Sequence, residues 1–422
     1  MLGLARYVVH GAGGGGNAPS LNFNFVDGSA FSPQITFTRA SSATYFDSAG
    51  VLQTATTDAP RFDYNPSTLA AQGLLIEESR TNSIRNNTMQ GAAAGTPGTL
   101  PTNWGEALGG LTREIVGTGT SNGIAYIDIK FSGTSTGTQV SIRNEATNQV
   151  SASVGQTWTN STYVAIVGGS TTNVSTVRVR ITERDSGGNY LAESSTTFTP
   201  TSTLTRYVHT GTLGNASVAF LESSVFFTFS VGAAIDITLR IGLPQLELGA
   251  FATSVIPTTS ASVTRAADVA SVNNLSPWYN ATEGALYFEG ATFDALSSAF
   301  PQGTLFSDGT NNNRIGILRN NSSGNSRATV ANGGAAQFAA DGTSWTLNAV
   351  TKAALAYEVN NFAFVANGGA ATTDTSGTLP TVDRLRLGVD GLGSSSFLNG
   401  YLRRITYYPR RLSNAELQAI TS

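Results

Sequence analysis

The residue types that could perform nucleophilic catalysis are scarce in this chain. Such catalysis needs a positioned base, usually a histidine, and the sequence holds only His10 and His209. His10 lies in a Gly-rich leader, and His209 lies in an alternating run (RYVH) that favours a structural role on a strand face. The sequence contains no GxSxG, P-loop or HExxH motif, and the GAGGGG run lacks the strand–turn–helix context of a nucleotide loop. We therefore expect no chemistry of these classes.

Glycoside hydrolysis needs only two carboxylates about 5 to 9 Å apart, so a shortage of histidine does not exclude it. The candidate pairs are Glu77 with Glu78 and Glu183 with Asp185. Neighbours on a strand face opposite sides, which counts against the first pair. The second pair shares a strand face but stands beside the turn DSGGN, where exposed turn carboxylates are expected. We predict that the protein is not an enzyme and keep glycan cleavage as the alternative.

Sugar binding needs aromatic planes that stack on sugar rings and polar groups that bond the hydroxyls. The loop from Asp308 to Arg314 is the best candidate, because its consecutive polar side chains have no evident role in a core. The predicted carbohydrate-binding residues are Asp308, Asn311, Asn312, Asn313, Arg314, Trp104, Trp158 and Trp345. Core packing is the competing interpretation for each tryptophan. Asp308, Asp390 and Glu247 are weaker candidates for a Ca²⁺ site, since calcium prefers carboxylate and carbonyl oxygens.

The composition restricts the elements that can position these side chains. Of the 422 residues, 12% are charged, 40% are hydrophobic and 46 are glycine, which suits several cores built from short strands and many turns. The absence of cysteine excludes disulfides and cysteine-ligated metals. A net charge of −3 argues against a nucleic-acid partner. No stretch has the length of a membrane span, so no membrane insertion is expected.

Alternating apolar and polar runs recur along the chain, as in TQVSIRNEA, STVRVRITERD and IDITLRIGLPQLEL. They predict an all-β, multidomain fold in which an N-terminal β attachment module precedes two antiparallel β-sandwiches. The predicted segments are a Gly-rich leader at 1–20, the attachment module at 21–84, a first sandwich at 85–256, a linker at 257–268 and a second sandwich at 269–422. A short helix with a capping box at Ser413 and Glu416 is predicted to end the second sandwich.

Several motifs resemble known families. FTRAS, ATY, PRFDY and GLLIEESRTN fall within residues 37–82, and QLELGAFATSVIPTTSASVTRAAD covers 245–268. Both regions resemble head-spike and tail-fibre virion proteins of bacteriophages or gene-transfer agents. The unit closed by QLEL resembles jelly-roll carbohydrate-binding modules, and the ending FLNGYLRRITYYPRRLSNAELQAITS resembles that of concanavalin A-like and laminin-G-like sandwiches.

The resemblance implies a virion structural protein, a head spike or tail fibre, that binds host-surface glycans as a receptor-binding protein. It also implies attachment to other virion proteins (capsid, vertex or tail) through residues 1–84, assembly in the bacterial cytoplasm and exposure on the particle surface. A homo-oligomer is expected, with a trimer favoured over a pentamer. The alternatives are a capsule-degrading depolymerase and a capsid decoration protein without a receptor role.

Overall fold

The computed structural model describes residues 18–294 and 300–422, so His10 and most of the predicted leader lie outside the described residues. The described chain is built from antiparallel strands and one short helix, which confirms the predicted all-β class. In chain order the elements are β1 (Leu21–Asn24), β2 (Thr36–Thr38), β3 (Ala43–Phe46), β4 (Leu52–Ala55), β5 (Phe62–Tyr64), β6 (Ala71–Ile76), β7 (Arg80–Asn82), β8 (Gly105–Ala107), β9 (Thr112–Ser121), β10 (Ile124–Thr134), β11 (Gln139–Arg143), β12 (Val150–Ser151), β13 (Thr157–Gly169), β14 (Val174–Arg184), β15 (Tyr190–Phe198), β16 (Thr205–Thr212), β17 (Phe220–Phe229), β18 (Ala234–Leu248), β19 (Val263–Arg265), β20 (Val269–Val272), β21 (Glu283–Thr292), β22 (Gln302–Ser307), β23 (Arg314–Arg319), β24 (Asn325–Asn332), β25 (Ala335–Ser344), β26 (Thr351–Glu358), β27 (Phe362–Ala366), β28 (Thr372–Asp374), β29 (Arg384–Leu387), β30 (Gly400–Tyr408) and α1 (Asn414–Thr421).

The chain divides into two compact units, and each is assembled from segments that are distant in sequence. Unit 1 contains the described residues up to Thr38, Ala71–Glu78 and Asp268–Ser422. Unit 2 contains Arg39–Ala70 and Ser79–Ala267. These bounds differ from the segments expected from the sequence, because residues 21–84 are shared between the two units. An attachment role for residues 1–84 stays a prediction.

Unit 1 contains two large antiparallel sheets. One has the order β28-β27-β26-β21-β30-β6, and β1 also pairs with β30. The other is a 7-stranded sheet of order β2-β20-β29-β22-β23-β24-β25. Leu21 is paired with Tyr407 and Thr36 with Ser271, so strands from the start of the described chain complete sheets formed mainly by its last third. This pairing explains why residues 21–38 belong to unit 1.

The helix α1 closes unit 1 in the way that its sequence predicts. The Ser413 hydroxyl accepts a hydrogen bond from the Glu416 backbone N–H at 3.3 Å, and the Glu416 carboxylate accepts one from the Ser413 N–H at 2.7 Å. Leu412 and Leu417 are buried in a cluster with Ala354 and other residues of the sheet. In the described part of the chain, no helix is long and apolar enough to cross a membrane.

Unit 2 contains a 5-stranded sheet of order β16-β13-β18-β10-β9 and a sheet of order β15-β14-β17-β11-β8, with β12 also paired to β17. Inward-facing residues of both sheets form a large apolar core. Ile127, Ile129 and Phe131 come from β10, while Val225 and Phe227 come from β17. Their spacing of two residues is the alternation that places one face of a strand in a core.

The segment after β18 is held against unit 2 by buried amide side chains. Asn82 donates to the carbonyl of Ile256 at 3.1 Å and accepts from the N–H of Leu246 at 3.1 Å. Gln245 accepts from the N–H of Ile256 at 2.7 Å, and Asn87 accepts from the N–H of Thr258 at 2.7 Å. Further along, β19 pairs with β7. Much of the stretch that the sequence suggests to be a linker is therefore an ordered part of unit 2.

Candidate functional site

The outer face of the sheet β15-β14-β17-β11-β8 carries a polar groove. In β14, Val177, Val179 and Ile181 are buried on the inner side. The residues between them point outward by strand alternation, and Arg178 and Arg180 thereby come to line a cavity of about 480 Å³. All of the lining residues belong to unit 2.

An aromatic ring forms the floor of this groove. Phe226 is 2% exposed, and the guanidinium carbon of Arg180 lies 3.9 Å from its ring centroid. The corresponding carbon of Arg178 lies 4.6 Å from the same centroid. Guanidinium planes stack favourably on aromatic rings, so the ring fixes two cationic side chains at the bottom of the groove.

Arg180 joins the strands of the groove through a network of charged hydrogen bonds. Its Nη1 donates to Glu193 on β15 at 2.8 Å, and its Nη2 lies 3.6 Å from Glu222 on β17. Its Nε donates to Ser224 at 3.1 Å and its Nη2 donates to Ser141 at 3.1 Å. Burial lowers the pKa of Arg180 and the two carboxylates oppose that shift. Arginine stays protonated in proteins, so the group remains a cation.

A second ion pair extends the network toward the open end of the groove. Arg184 donates to Glu222 from Nε at 2.9 Å and from Nη2 at 2.6 Å. Glu222 is almost completely buried, whereas Tyr190 at the same end is 58% exposed. The groove therefore combines a rigid, ion-paired interior with an aromatic ring that is open to solvent.

Some polar atoms of the lining have no protein partner. Within residues 18–294 and 300–422, Nε of Arg178 and Oγ1 of Thr182 are buried without a hydrogen bond. Buried polar groups are normally satisfied by protein, water or a ligand. The features of the groove that a hydroxylated or charged ligand such as a saccharide can reach are the exposed ring of Tyr190 and the outer edge of Arg178.

The predicted binding loop between Asp308 and Arg314 lies between β22 and β23 in unit 1, and its side chains bond mostly to one another. Asp308 accepts from Asn313 at 2.7 Å and from the Thr310 hydroxyl at 2.6 Å. These bonds, led by that from Asn313, lower the pKa of Asp308. Arg314 donates to the carbonyl of Asn311 at 2.5 Å. Asn312 is the exposed member of the loop.

The residues suggested for calcium do not form a shared ligand set. Asp390 accepts from Asn311 at 3.1 Å, from the N–H of Ser394 at 3.0 Å and from the hydroxyl of Ser395 at 2.9 Å. Burial raises the pKa of Asp390, but these hydrogen bonds outweigh it and the net pKa is lowered. Both oxygens of Asp308 and of Asp390 thus face N–H or O–H donors. Across the described residues, no group of three or more His, Cys, Asp or Glu side chains could hold a metal ion.

Glu247, the other calcium candidate, lies in unit 2 and accepts hydrogen bonds from the segment that follows β18. Its carboxylate accepts from the backbone N–H of Thr253 at 3.1 Å and also from the Thr253 hydroxyl. Glu247 is 0% exposed. This donor set does not fit a calcium ion, because the oxygens are directed at hydrogen-bond donors.

The three predicted tryptophans are dispersed and mostly buried. Trp345 is 0% exposed and its ring lies 4.9 Å from that of Phe288, so no ring face is open to a sugar. Trp158 is 5% exposed and borders a separate cavity of about 200 Å³ in unit 2. Trp104 is half-buried against the core of unit 2 and donates to the carbonyl of Asn86 at 2.8 Å.

The residues considered for hydrolysis make structural contacts within the fold. Glu77 is buried, and its backbone N–H donates to Asp268 at 2.9 Å. Glu78 accepts from Asn399 at 3.1 Å. Glu183 accepts from the N–H of Asn215 at 3.0 Å, so all three of these residues make loop or strand contacts.

Asp185 and His209 also have structural partners. Asp185 accepts from the N–H groups of Gly187 and Asn189, both at 2.9 Å, and so organises the turn after β14. His209 is 7% exposed, and its ring nitrogens contact the hydroxyls of Ser194 at 2.8 Å and Thr196 at 3.1 Å.

Sequence reasoning missed the residues of the groove. The run STVRVRITERD predicts an alternating strand, and its outward residues Arg178, Arg180 and Arg184 are not among the predicted binding residues. Three arginines among four successive outward positions of one strand are a readable signal. Their partners Glu193 and Glu222 could not be assigned, because they come from other strands whose register the sequence does not specify.

No protein-family model and no curated protein sequence matches the chain. Several solved structures align with it at low TM-scores. A CBM4 structure is 18% identical over 35% of this chain and 94% of that chain, with a TM-score of 0.22. The CBM22-1–CBM22-2 tandem domain of Paenibacillus barcinonensis Xyn10C is 10% identical over 76% of this chain and 99% of that chain, with a TM-score of 0.23. Mouse laminin alpha1 domains LG4-5 are 11% identical over 61% of this chain and 83% of that chain, with a TM-score of 0.22. Alignments at this level do not define a family.

Proposed function

We propose that the protein is a non-enzymatic glycan-binding protein and that the groove of unit 2 is its binding site. The observation that carries the proposal is the groove itself. Arg178 and Arg180 stack on Phe226 at its floor, and the ring of Tyr190 is open at its end. Planar groups bind the faces of sugar rings, and guanidinium edges bind their oxygens.

The groove is open and shallow, so a single site is expected to bind weakly. Repetition of the site in a homo-oligomer raises the apparent affinity, by about 10² or more where the geometry permits simultaneous binding. A trimer remains the oligomer that we favour, with a pentamer as the alternative. Size-exclusion chromatography with light scattering tests the stoichiometry, and a monomer at micromolar concentration would contradict it.

The protein is proposed to act on the surface of a phage or gene-transfer-agent particle, as a head spike or tail fibre that binds host glycans. The support for this part is the resemblance of residues 37–82 and 245–268 to virion proteins. Mass spectrometry of purified particles from the source strain tests it directly. Recovery of the protein only in the soluble lysate, and never with particles, would contradict a virion location.

Glycan cleavage is the second candidate, and the groove argues against it. Glu193 and Glu222 are the carboxylates nearest the floor, and both are engaged by arginine side chains at 2.8 Å and 2.6 Å. Neither is presented to a substrate in the manner of a glycosidase pair. Incubation with host polysaccharide should therefore release no new reducing ends. Released oligosaccharides would overturn the purely binding function.

The binding function is tested with a glycan array and the substitution Tyr190→Ala. We expect the wild-type protein to bind a subset of bacterial polysaccharides, and the variant to bind them at least about fivefold more weakly, because stacking on one aromatic ring contributes about 1 kcal/mol or more. Val231→Ala is the control, since Val231 is 64% exposed and does not line the groove. Equal binding by both variants would remove the groove as the site.

A further inference from the structure

The groove in unit 2 holds more guanidinium groups than carboxylates. Arg184 contacts Glu222 at 2.6 Å, and Arg180 contacts Glu193 at 2.8 Å. These two short contacts occupy both carboxylates. Arg178 is left with a contact of 3.4 Å to Glu193, which is a poor hydrogen bond. The groove therefore carries an excess positive charge that is located at Arg178.

The donors of Arg178 are incompletely satisfied. Its Nε is buried without a partner among the described residues. Its Nη1 makes only the long contact to Glu193, and no described protein atom accepts from its Nη2. The side chain keeps 21% of its surface exposed, so a ligand that enters the groove can reach its outer edge.

The orientation of Arg178 is nevertheless fixed. Its guanidinium lies over the ring of Phe226, at 4.6 Å from the centroid, and this stacking occupies one face of the group. The planar N–H donors then lie at the edges. A guanidinium whose face is packed and whose edge is free is arranged to receive a planar, two-oxygen acceptor.

We infer that the groove binds a saccharide that carries a carboxylate, such as a uronic acid, and that Arg178 receives this carboxylate. The inference rests on the proposed glycan-binding function and specifies its ligand class. A sugar hydroxyl could bond one donor of Arg178, but it would leave the positive charge unneutralised. A carboxylate bonds two donors at once and neutralises the charge, and charge-assisted bonds are about twice as strong as neutral ones.

The remaining arginines hold the site rather than compete for the ligand. Arg180 is 8% exposed and is bonded to side chains on three other strands of the same sheet. Arg184 is held by Glu222 and by the carbonyl of Gly188 at 2.9 Å. We therefore expect Arg178 to dominate the preference for acidic ligands.

The test compares a glucuronic-acid oligosaccharide with the same oligosaccharide after reduction of its carboxylates to primary alcohols. Binding of both to the full-length protein is measured by calorimetry at low and moderate salt. We expect the acidic form to bind about tenfold more tightly, with a preference that shrinks as the salt concentration rises. In Arg178→Gln the ratio of the two affinities should fall to about 1, whatever the absolute affinity for the reduced form.

Arg240→Gln is the matched control. Arg240 lies on the other sheet of unit 2, stacks on Tyr126 at 3.6 Å and pairs with Asp128 at 2.8 Å. The Arg240→Gln variant should retain the preference for the acidic oligosaccharide. Equal binding of both oligosaccharides by the wild type, or an acidic preference that persists in Arg178→Gln, overturns this inference and leaves the proposed function intact. Absence of binding to every glycan of the array would overturn both.

Discussion

Arg180 is the side chain on which the geometry of the groove most depends. It contacts Glu193, Glu222, Ser141 and Ser224, which lie on three different strands, and it is 8% exposed. Such a residue organises a site without being free to bind a ligand itself. Removing Arg180 should destabilise the fold more than removing an exposed charge, because its partners Glu222, Ser141 and Ser224 remain buried.

Arg180→Met should lower the free energy of unfolding of the protein by about 3 kcal/mol, since breaking a buried ion pair leaves uncompensated charge. Lys130→Met is the control in the same unit, where the Lys130–Asp236 pair is 35% and 65% exposed. It should cost about 1 kcal/mol or less. Urea denaturation followed by tryptophan fluorescence measures both. Equal losses of unfolding free energy would show that the Arg180 network stabilises the fold no more than a surface ion pair does.

His209 makes stability sensitive to acid. Burial lowers its pKa below the usual 6.5, so the folded protein binds this proton less readily than the unfolded chain does. Stability is therefore unaffected by this group above pH 6.5 and declines as the pH falls below that value. His209→Gln should show a shallower decline of melting temperature between pH 6.5 and pH 5. An unchanged slope would mean that the pKa of His209 is the same in the folded and unfolded states.

Single residues also show what the sequence could not reveal. Trp345 follows the polar stretch DGTS, yet it is 0% exposed, because the strand before it carries the ring inward. Conversely, Arg180 lies on a strand that is easily predicted, but its binding environment depends on the pairing of β14 with β15 and β17. Local patterns predict strands, whereas a site shared between strands depends on register.

At the scale of elements, the start of α1 could be predicted from the sequence, because a capping box involves only neighbouring residues. Arg410 and Ser413 hold the pKa of Glu416 at about 2, with the Arg410 bond as the leading cause. Ser413→Ala should lower the free energy of unfolding by about 1 kcal/mol, through loss of the cap. Ser217→Ala, an exposed turn position, is the control and should be neutral. A neutral result at Ser413 would mean that packing alone holds the helix.

The segment after β18 depends on the buried side chain of Asn82. Asn82→Ala should cost at least about 2 kcal/mol, because the carbonyl of Ile256 and the N–H groups of Ile84 and Leu246 lose a buried partner. Asn312→Ala, at an exposed position, should cost less than about 0.5 kcal/mol. Thermal denaturation compares the two, and similar losses would contradict the role given to Asn82. The motif GLLIEESRTN thus ends in a residue whose role within this fold is structural.

At the scale of the whole molecule, neither unit is a continuous stretch of chain. Residues up to Thr38 and Ala71–Glu78 belong to unit 1, although Arg39–Ala70 between them belongs to unit 2. The sequence indicated the strands and the all-β class. It could not indicate this interleaving, because the pairings β1 with β30 and β2 with β20 join residues that are hundreds of positions apart.

A truncation that ends at Ala267 therefore does not remove unit 1 as a whole, because part of unit 1 precedes that residue. It would delete β20 and β30, which leaves β1 and β2 without their partners and removes β30 from the side of β6. We expect limited proteolysis of this fragment to cut first within 18–38 and 71–78, with residues 79–267 more resistant. The intact protein serves as the control. Equal resistance of all these segments in the fragment would contradict the unit boundaries.

The pairing of β1 with β30 also constrains synthesis on the ribosome. Asn22 contacts Thr406 across a separation of 384 residues, and at about 5 to 20 residues per second the ribosome needs on the order of 20 to 80 seconds to cover it. During that time the N-terminal strand has been made but its partner has not. Unit 2 is complete in the nascent chain as soon as Ala267 has emerged, so it can fold first. The sheet that contains β1 must close after translation of β30, which makes the early strands the natural substrates of ribosome-associated chaperones.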